Sequence, residues 1–135
     1  MAIMLRTRCP QCGELVETQA NCYCGKCGTP IHFAGMGMVQ IYRKGSPIGI
    51  AGGFGIYIDG QPLGYIGNKQ SLRIPLPMGT HTLHFACGMN RRCRDLTFTL
   101  TPQAPIAYAK VYMKVGAFSN TFIIEPAMPH EMPME

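Results

Sequence analysis

Two Cys-x-x-Cys-Gly turns near the N-terminus constrain this chain more than anything else in it. Cys9-Pro10-Gln11-Cys12-Gly13 is the first and Cys24-Gly25-Lys26-Cys27-Gly28 the second, with eleven residues between Cys12 and Cys24. A two-residue gap lets both sulfurs of a turn reach one ion. Two such turns facing each other offer four thiolates, the donor set of tetrahedral zinc. The glycine after each second cysteine suits a positive φ, which turns backbone N–H groups toward the sulfurs. The expected ligands are therefore Cys9, Cys12, Cys24 and Cys27, and the expected cofactor is one structural zinc ion. A four-cysteine iron site has the same spacing. A disulfide framework would need an oxidising compartment. A thioredoxin-type redox pair would need to open a helix, and neither turn does. Cys22 is a spare, because only Cys24 keeps the two-residue spacing to Cys27. His32 lies outside the second turn and reads as a polar residue on a short strand.

The remaining residues point to an all-β chain. The sequence has 135 residues, enough for one ordinary domain or a small domain plus a mini-domain. With 16 Gly, 11 Pro and no Trp it favours turns and strands over a helical bundle. Only 14% of residues are charged and 47% are hydrophobic, which excludes a disordered charged tail. No apolar run approaches the roughly 20 residues of a membrane span. The start is too short for a signal-peptide core and is followed at once by Arg6, Arg8 and Cys9. The expectation is a soluble, cytoplasmic protein with no membrane contact.

Residues 1–33 read as a metal mini-domain too small to fold without its ion. Residues 34–38 read as a linker, 39–125 as a second domain, and 126–135 as a flexible tail. In the second domain apolar residues alternate. Leu72, Ile74 and Leu76 share a face, as do Leu83 and Phe85 with His81 in their parity. Leu96, Phe98 and Leu100 alternate with Thr97, Thr99 and Thr101. Ala107, Ala109, Val111, Met113 and Val115 alternate with Tyr108, Lys110, Tyr112 and Lys114. Period two is the mark of half-buried antiparallel strands. With further runs at 39–42, 56–58, 63–66 and 121–125 there are about eight strands, and Asp59-Gly60 is a hairpin turn between two of them. The predicted architecture is an antiparallel β-sandwich, with a small barrel as the alternative.

The stretch from Ile56 through Asp59-Gly60 to Gly64 is similar to a strand–Asp-Gly–strand pattern. Leu76-Pro77-Met78-Gly79-Thr80-His81-Thr82-Leu83 is similar to a proline–glycine turn running into an apolar strand. Together with the Lys114-Val115-Gly116 strand end, they resemble small bacterial β-sandwich domains of uncharacterised function, related in style to PEGA-type domains. The likeness spans about two-thirds of the chain. Separately, Cys9, Cys12, Cys24 and Cys27 resemble the ligands of zinc ribbons. The first resemblance implies a β-sandwich and supplies no catalytic residue. Its members are often exported or membrane-attached, and neither feature is carried over here.

Catalysis is not expected. The second domain holds three carboxylates, and Asp59 suits its turn for backbone reasons. Cys87 with His81 or His84 as nucleophile and base would need neighbours on one strand to meet. Gly49, Gly52, Gly53 and Gly55 suggest a phosphate cradle but lack the Lys-Ser/Thr ending and a following helix. The net charge of +5 sits mainly between residues 34 and 125, where nine Lys and Arg face three acids. Arg91, Arg92 and Arg94 cluster, and Tyr108, Lys110, Tyr112 and Lys114 interleave rings with cations, as single-stranded nucleic-acid platforms do. The bland reading is a solvated face whose lysines discourage edge pairing. Cys87 and Cys93 flank a five-residue loop that would place them opposite each other, as a redox clasp or as a second metal site with Cys22. Met128, His130, Met132 and Met134 are donors of the kind Cu(I) takes, on what reads as a Pro-broken tail.

The primary expectation is a non-enzymatic zinc-binding interaction module with a protein partner. A nucleic-acid binder is the alternative, and a thiol-based redox or metal sensor the second alternative.

Overall fold

The computed structural model describes residues 4–44, 53–87, 93–115 and 120–131. Thirteen strands run through them: β1 (Leu5–Arg8), β2 (Leu15–Thr18), β3 (Cys22–Tyr23), β4 (Pro30–Ile31), β5 (Gly37–Arg43), β6 (Phe54–Ile58), β7 (Gln61–Ile66), β8 (Ser71–Leu76), β9 (Gly79–Ala86), β10 (Cys93–Arg94), β11 (Leu96–Leu100), β12 (Ile106–Val115) and β13 (Asn120–Pro126). One 3₁₀ turn, Pro129–Glu131, follows. It carries His130, and Met128 before it is exposed. Met132 and Met134 lie outside the described residues.

Two sheets enclose one core. The larger has the order β10-β13-β12-β5-β8-β1-β2 and the smaller β11-β9-β6-β7. Val39, Ile41, Leu72, Ile74, Ala109, Val111 and Phe122 from the first meet Phe54, Ile56, Ile66, Leu83, Phe85 and Leu100 from the second. The faces follow the alternation in the sequence, so the all-β sandwich stands. Phe54 packs edge-on against Phe122 at 4.7 Å and Phe85 at 6.5 Å between ring centres, the geometry that ring quadrupoles favour.

Three pairings depart from a purely antiparallel sandwich. β12 runs parallel to β5, β10 to β13 and β1 to β8. Side-chain alternation has the same period in both kinds of ladder, so it carries no information about strand direction. β5 also starts at Gly37, inside the stretch read as a linker. A Cβ there would lie 2.7 Å from the Pro105 carbonyl, so only glycine lets the strand enter so close to its neighbour.

The N-terminal segment is joined to the sandwich through hydrogen bonds. β1 and β2 form an antiparallel hairpin that extends the larger sheet beyond β8. Inside that edge, Arg6 Nη1 donates to the carbonyls of Leu63 and Tyr65, and Arg8 Nε donates to that of Pro62 at 2.8 Å. All three acceptors belong to β7, the outer strand of the smaller sheet. Gly64, at φ +81°, supplies the extra residue of a bulge that shifts the β6–β7 register.

The hairpin between β6 and β7 has φ 52° at Asp59 and 83° at Gly60, the paired positive values of a type I′ turn. Asp59 has a second role. Its Oδ1 accepts from the Thr82 N–H at 2.8 Å and its Oδ2 from His81 Nδ1 at 2.7 Å. His81 Nε2 lies 2.7 Å from the Pro77 carbonyl, so both ring nitrogens face acceptors and the charged ring satisfies both. Burial by itself lowers the His81 pKa, but Asp59 and the Pro77 carbonyl outweigh it and raise the pKa. The His81 hydrogen bond is the largest of the influences that hold the Asp59 carboxyl below its ordinary value.

Candidate metal centre

Each Cys-x-x-Cys-Gly turn closes a hairpin, the first between β1 and β2 and the second between β3 and β4, and the two repeat one geometry. The Cys9 N–H donates to the Glu14 carbonyl and the Cys24 N–H to that of Thr29, both at 2.8 Å. The Gly13 N–H donates back to Cys9 at 3.0 Å and the Gly28 N–H to Cys24 at 2.8 Å. Both glycines sit at φ 79°, a conformation that a side chain disfavours.

The two turns face each other. Cys9 and Cys27 sulfurs are 3.6 Å apart, as are those of Cys12 and Cys24, and all four lie within 4.8 Å of one another. A tetrahedron with 2.3 Å metal–sulfur bonds places its sulfurs about 3.8 Å apart. The cluster therefore fits one tetrahedral ion with little adjustment. Cys9 and Cys24 are buried against Ile31, with Val16, Cys22 and Phe33 around them, while Cys12 and Cys27 face outward. An ion pair at 3.6 Å, Lys26 with Glu14, spans the turns, but both groups are well exposed and it adds little.

The surroundings divide the four thiols. The Thr29 hydroxyl, 3.1 Å away, and then the Thr29 N–H bring Cys27 down to about 6. The Cys12 N–H is the largest of the influences that lower Cys9. At Cys12 the Glu14 N–H pulls the other way, but burial and the sulfurs of Cys24, Cys27 and Cys9 together push the thiol up to about 12. Four thiolates this close repel one another, and a divalent cation removes that conflict.

The other three cysteines are divided between two places. Cys22 belongs to the small apolar cluster beside the turns, whereas Cys87 and Cys93 pack against the sandwich core. A second site joining Cys22 to that pair is therefore not formed. Nor does β10 place Cys93 opposite Cys87: it pairs with β13, Cys93 against Phe122. Strand alternation cannot foresee that the chain leaves one sheet for the other between these two cysteines. His81 and His84 are engaged with Asp59 and Asp95, not with Cys87.

One group escaped the sequence reading. His84, Cys93 and Asp95 bring a nitrogen, a sulfur and an oxygen within 4.8 Å of one another, with His84 Nδ1 2.7 Å from Asp95 Oδ1. Cys93 and Asp95 are close in sequence, but only the β9–β11 pairing brings His84 to them.

The basic and aromatic face is partly assembled. Tyr108, Lys110, Tyr112 and Lys114 lie along the outward side of β12, with Lys114 exposed and the others half-buried. Register places Arg94, exposed on β10, beside Ile123, which in turn lies beside Tyr112. Lys44 Nζ stands 5.1 Å over the Tyr112 ring, and Glu125 lies opposite Lys110. Arg91 and Arg92 lie outside the described residues, as do Gly49 and Gly52. Gly53 leads into β6 and Gly55 lies within it, and a Cβ on Gly53 would meet that of Tyr65 at 2.6 Å.

No helix among the described residues is long and apolar enough to cross a membrane. No family model matches this chain, and neither does a curated protein or a solved structure.

Proposed function

We propose that this chain is a non-enzymatic, zinc-binding interaction module, in which a structural zinc ribbon carries one edge of a β-sandwich that meets a protein partner. The observation that carries the reading is the four-sulfur cluster, two pairs at 3.6 Å held by two matching turns. With cysteine at all four positions no place is left for water or substrate, as a structural ion requires. A protein partner is supported by β2. It is the outermost strand on its side of the larger sheet and lines an open groove of about 810 Å³. Leu15 and Tyr23, both exposed, stand in that groove. A strand edge that is unpaired among the described residues and flanked by apolar side chains suits an added strand.

Native mass spectrometry on protein purified without added metal, followed by the denatured mass, tests the reading. One retained zinc with seven reduced thiols is expected. A metal-free protein with mass lost to disulfides would overturn it.

A nucleic-acid reading draws on one observation: Arg94, Tyr112 and Lys114 share the outward face of the larger sheet. It predicts binding to single strands that weakens steeply with salt and falls when Arg91 and Arg92 become Ala. No binding at low salt would remove it.

A further inference from the structure

We propose that His84, Cys93 and Asp95 form a second, exchangeable site for a divalent cation of the zinc class, separate from the tetracysteine centre. The three arrive from different parts of the fold. His84 projects from the outward side of β9 in the smaller sheet, beside Tyr57 of β6. Cys93 opens β10 in the larger sheet, and Asp95 is the single residue between β10 and β11. The site thus lies where the chain crosses between the sheets.

The donor set selects the ion. An imidazole, a thiolate and a carboxylate suit zinc or cobalt(II). Calcium and magnesium take oxygen alone, and copper(I) prefers an all-soft set. All three donor atoms already lie within 4.8 Å of one another. Two ligands at about 2.1 Å from a tetrahedral ion stand roughly 3.4 Å apart. His84 Nδ1 and Asp95 Oδ1, now hydrogen-bonded at 2.7 Å, must therefore separate by several tenths of an ångström. Both side chains are partly exposed, which leaves solvent-side room for that move, while the Cys93 backbone is held by the β10–β13 ladder. The Tyr57 ring, edge-on to His84 at 5.7 Å, limits its rotation. On binding, the Cys93 S–H bond breaks, its proton passes to solvent, and the sulfur donates its pair to the cation with no change of oxidation state. With three protein ligands the fourth position is open to water, which makes this the exchangeable site of the two.

Cobalt(II) titration of the full chain, its tetracysteine centre already zinc-loaded, tests the proposal. One further equivalent is expected, with tetrahedral d–d bands and a thiolate-to-cobalt band in the near ultraviolet. Cys93→Ser should abolish the thiolate band. His84→Gln, at a partly exposed position that the fold tolerates, should weaken the second equivalent about tenfold or more. A Cys12→Ser/Cys27→Ser variant should keep the second equivalent, which separates this site from the ribbon. No second equivalent, or one of unchanged affinity and spectrum in both His84→Gln and Cys93→Ser, would overturn the proposal.

Discussion

Arg6, on the first strand of the cysteine-bearing segment, donates through Nη1 to the backbone carbonyl of Tyr65 on the outer strand of the opposite sheet. The same nitrogen reaches the Leu63 carbonyl at 3.3 Å, and Nη2 pairs with Glu17 at 3.2 Å. The guanidinium is buried, so truncating it takes the donor from a buried bond to Leu63 and a part-buried one to Tyr65. Arg6→Ala should cost about 2–4 kcal/mol of unfolding free energy. Chemical denaturation read by circular dichroism checks the value, and a loss below about half a kcal/mol would show that β7 does not depend on Arg6.

In the zinc-loaded protein proposed above, removing the ion should act locally. The small apolar cluster around Cys9, Cys24 and Ile31 is too slight to hold residues 9–33 alone, whereas the sandwich has its own continuous core. After treatment with a strong chelator, amide hydrogen exchange should rise sharply in β3, β4 and the two turns. It should stay slow in β5, β8, β9 and β12. Uniform loss of protection would mean that the ion supports the whole chain.

Two glycines separate backbone strain from crowding. Gly60 sits at φ +83° with open space where a Cβ would be. Gly64 has φ +81°, but a Cβ there would stand 3.1 Å from Arg6 Nη1. Gly60→Ala should cost about 1 kcal/mol from the backbone term alone. Gly64→Ala should cost more, because it also displaces Arg6. If thermal melts rank the two the other way, the Arg6 contact is not a constraint.

The His81–Asp59 pair gives stability a pH dependence. His81 has its pKa raised in the folded state, so its contribution is full below about pH 6.5 and is lost as pH rises through the folded value. Asp59 has its pKa lowered, so its share is present above about pH 4 and is lost as pH falls through the folded value. The pair therefore contributes most between about pH 4 and 6.5. Asp59→Asn should remove about 1 kcal/mol in that window, given that the carboxylate is half exposed, and much less at pH 9. Equal losses at pH 5.5 and pH 9 would show that the interaction does not depend on charge.

The turns were the most legible part of the chain, because their conformations are set by neighbours in sequence. Cys-x-x-Cys-Gly places sulfurs and a positive φ within five residues, and Asp59-Gly60 specifies its hairpin in two. Strand faces were nearly as clear, since alternation reports burial directly: Leu72, Ile74, Leu83 and Phe85 are all interior. The charged residues were less so. Arg6 and Arg43 are buried, Arg43 with its guanidinium 3.5 Å from the Phe54 ring centre and a bond to the Ile66 carbonyl. A sequence pattern assigns such residues to solvent, because the carbonyls and rings that receive them come from distant strands.

The sequence by itself therefore determined the pairing of cysteines into two turns, the all-β character and the inward faces of β8, β9, β11 and β12. These depend on spacing and periodicity, which act within a few residues. Strand order, the three parallel ladders, the attachment of β1 to both sheets and the meeting of His84 with Cys93 and Asp95 were decided only by the tertiary structure. They depend on which strand lies beside which, and the best mutual burial of all the apolar faces fixes that for the whole chain at once.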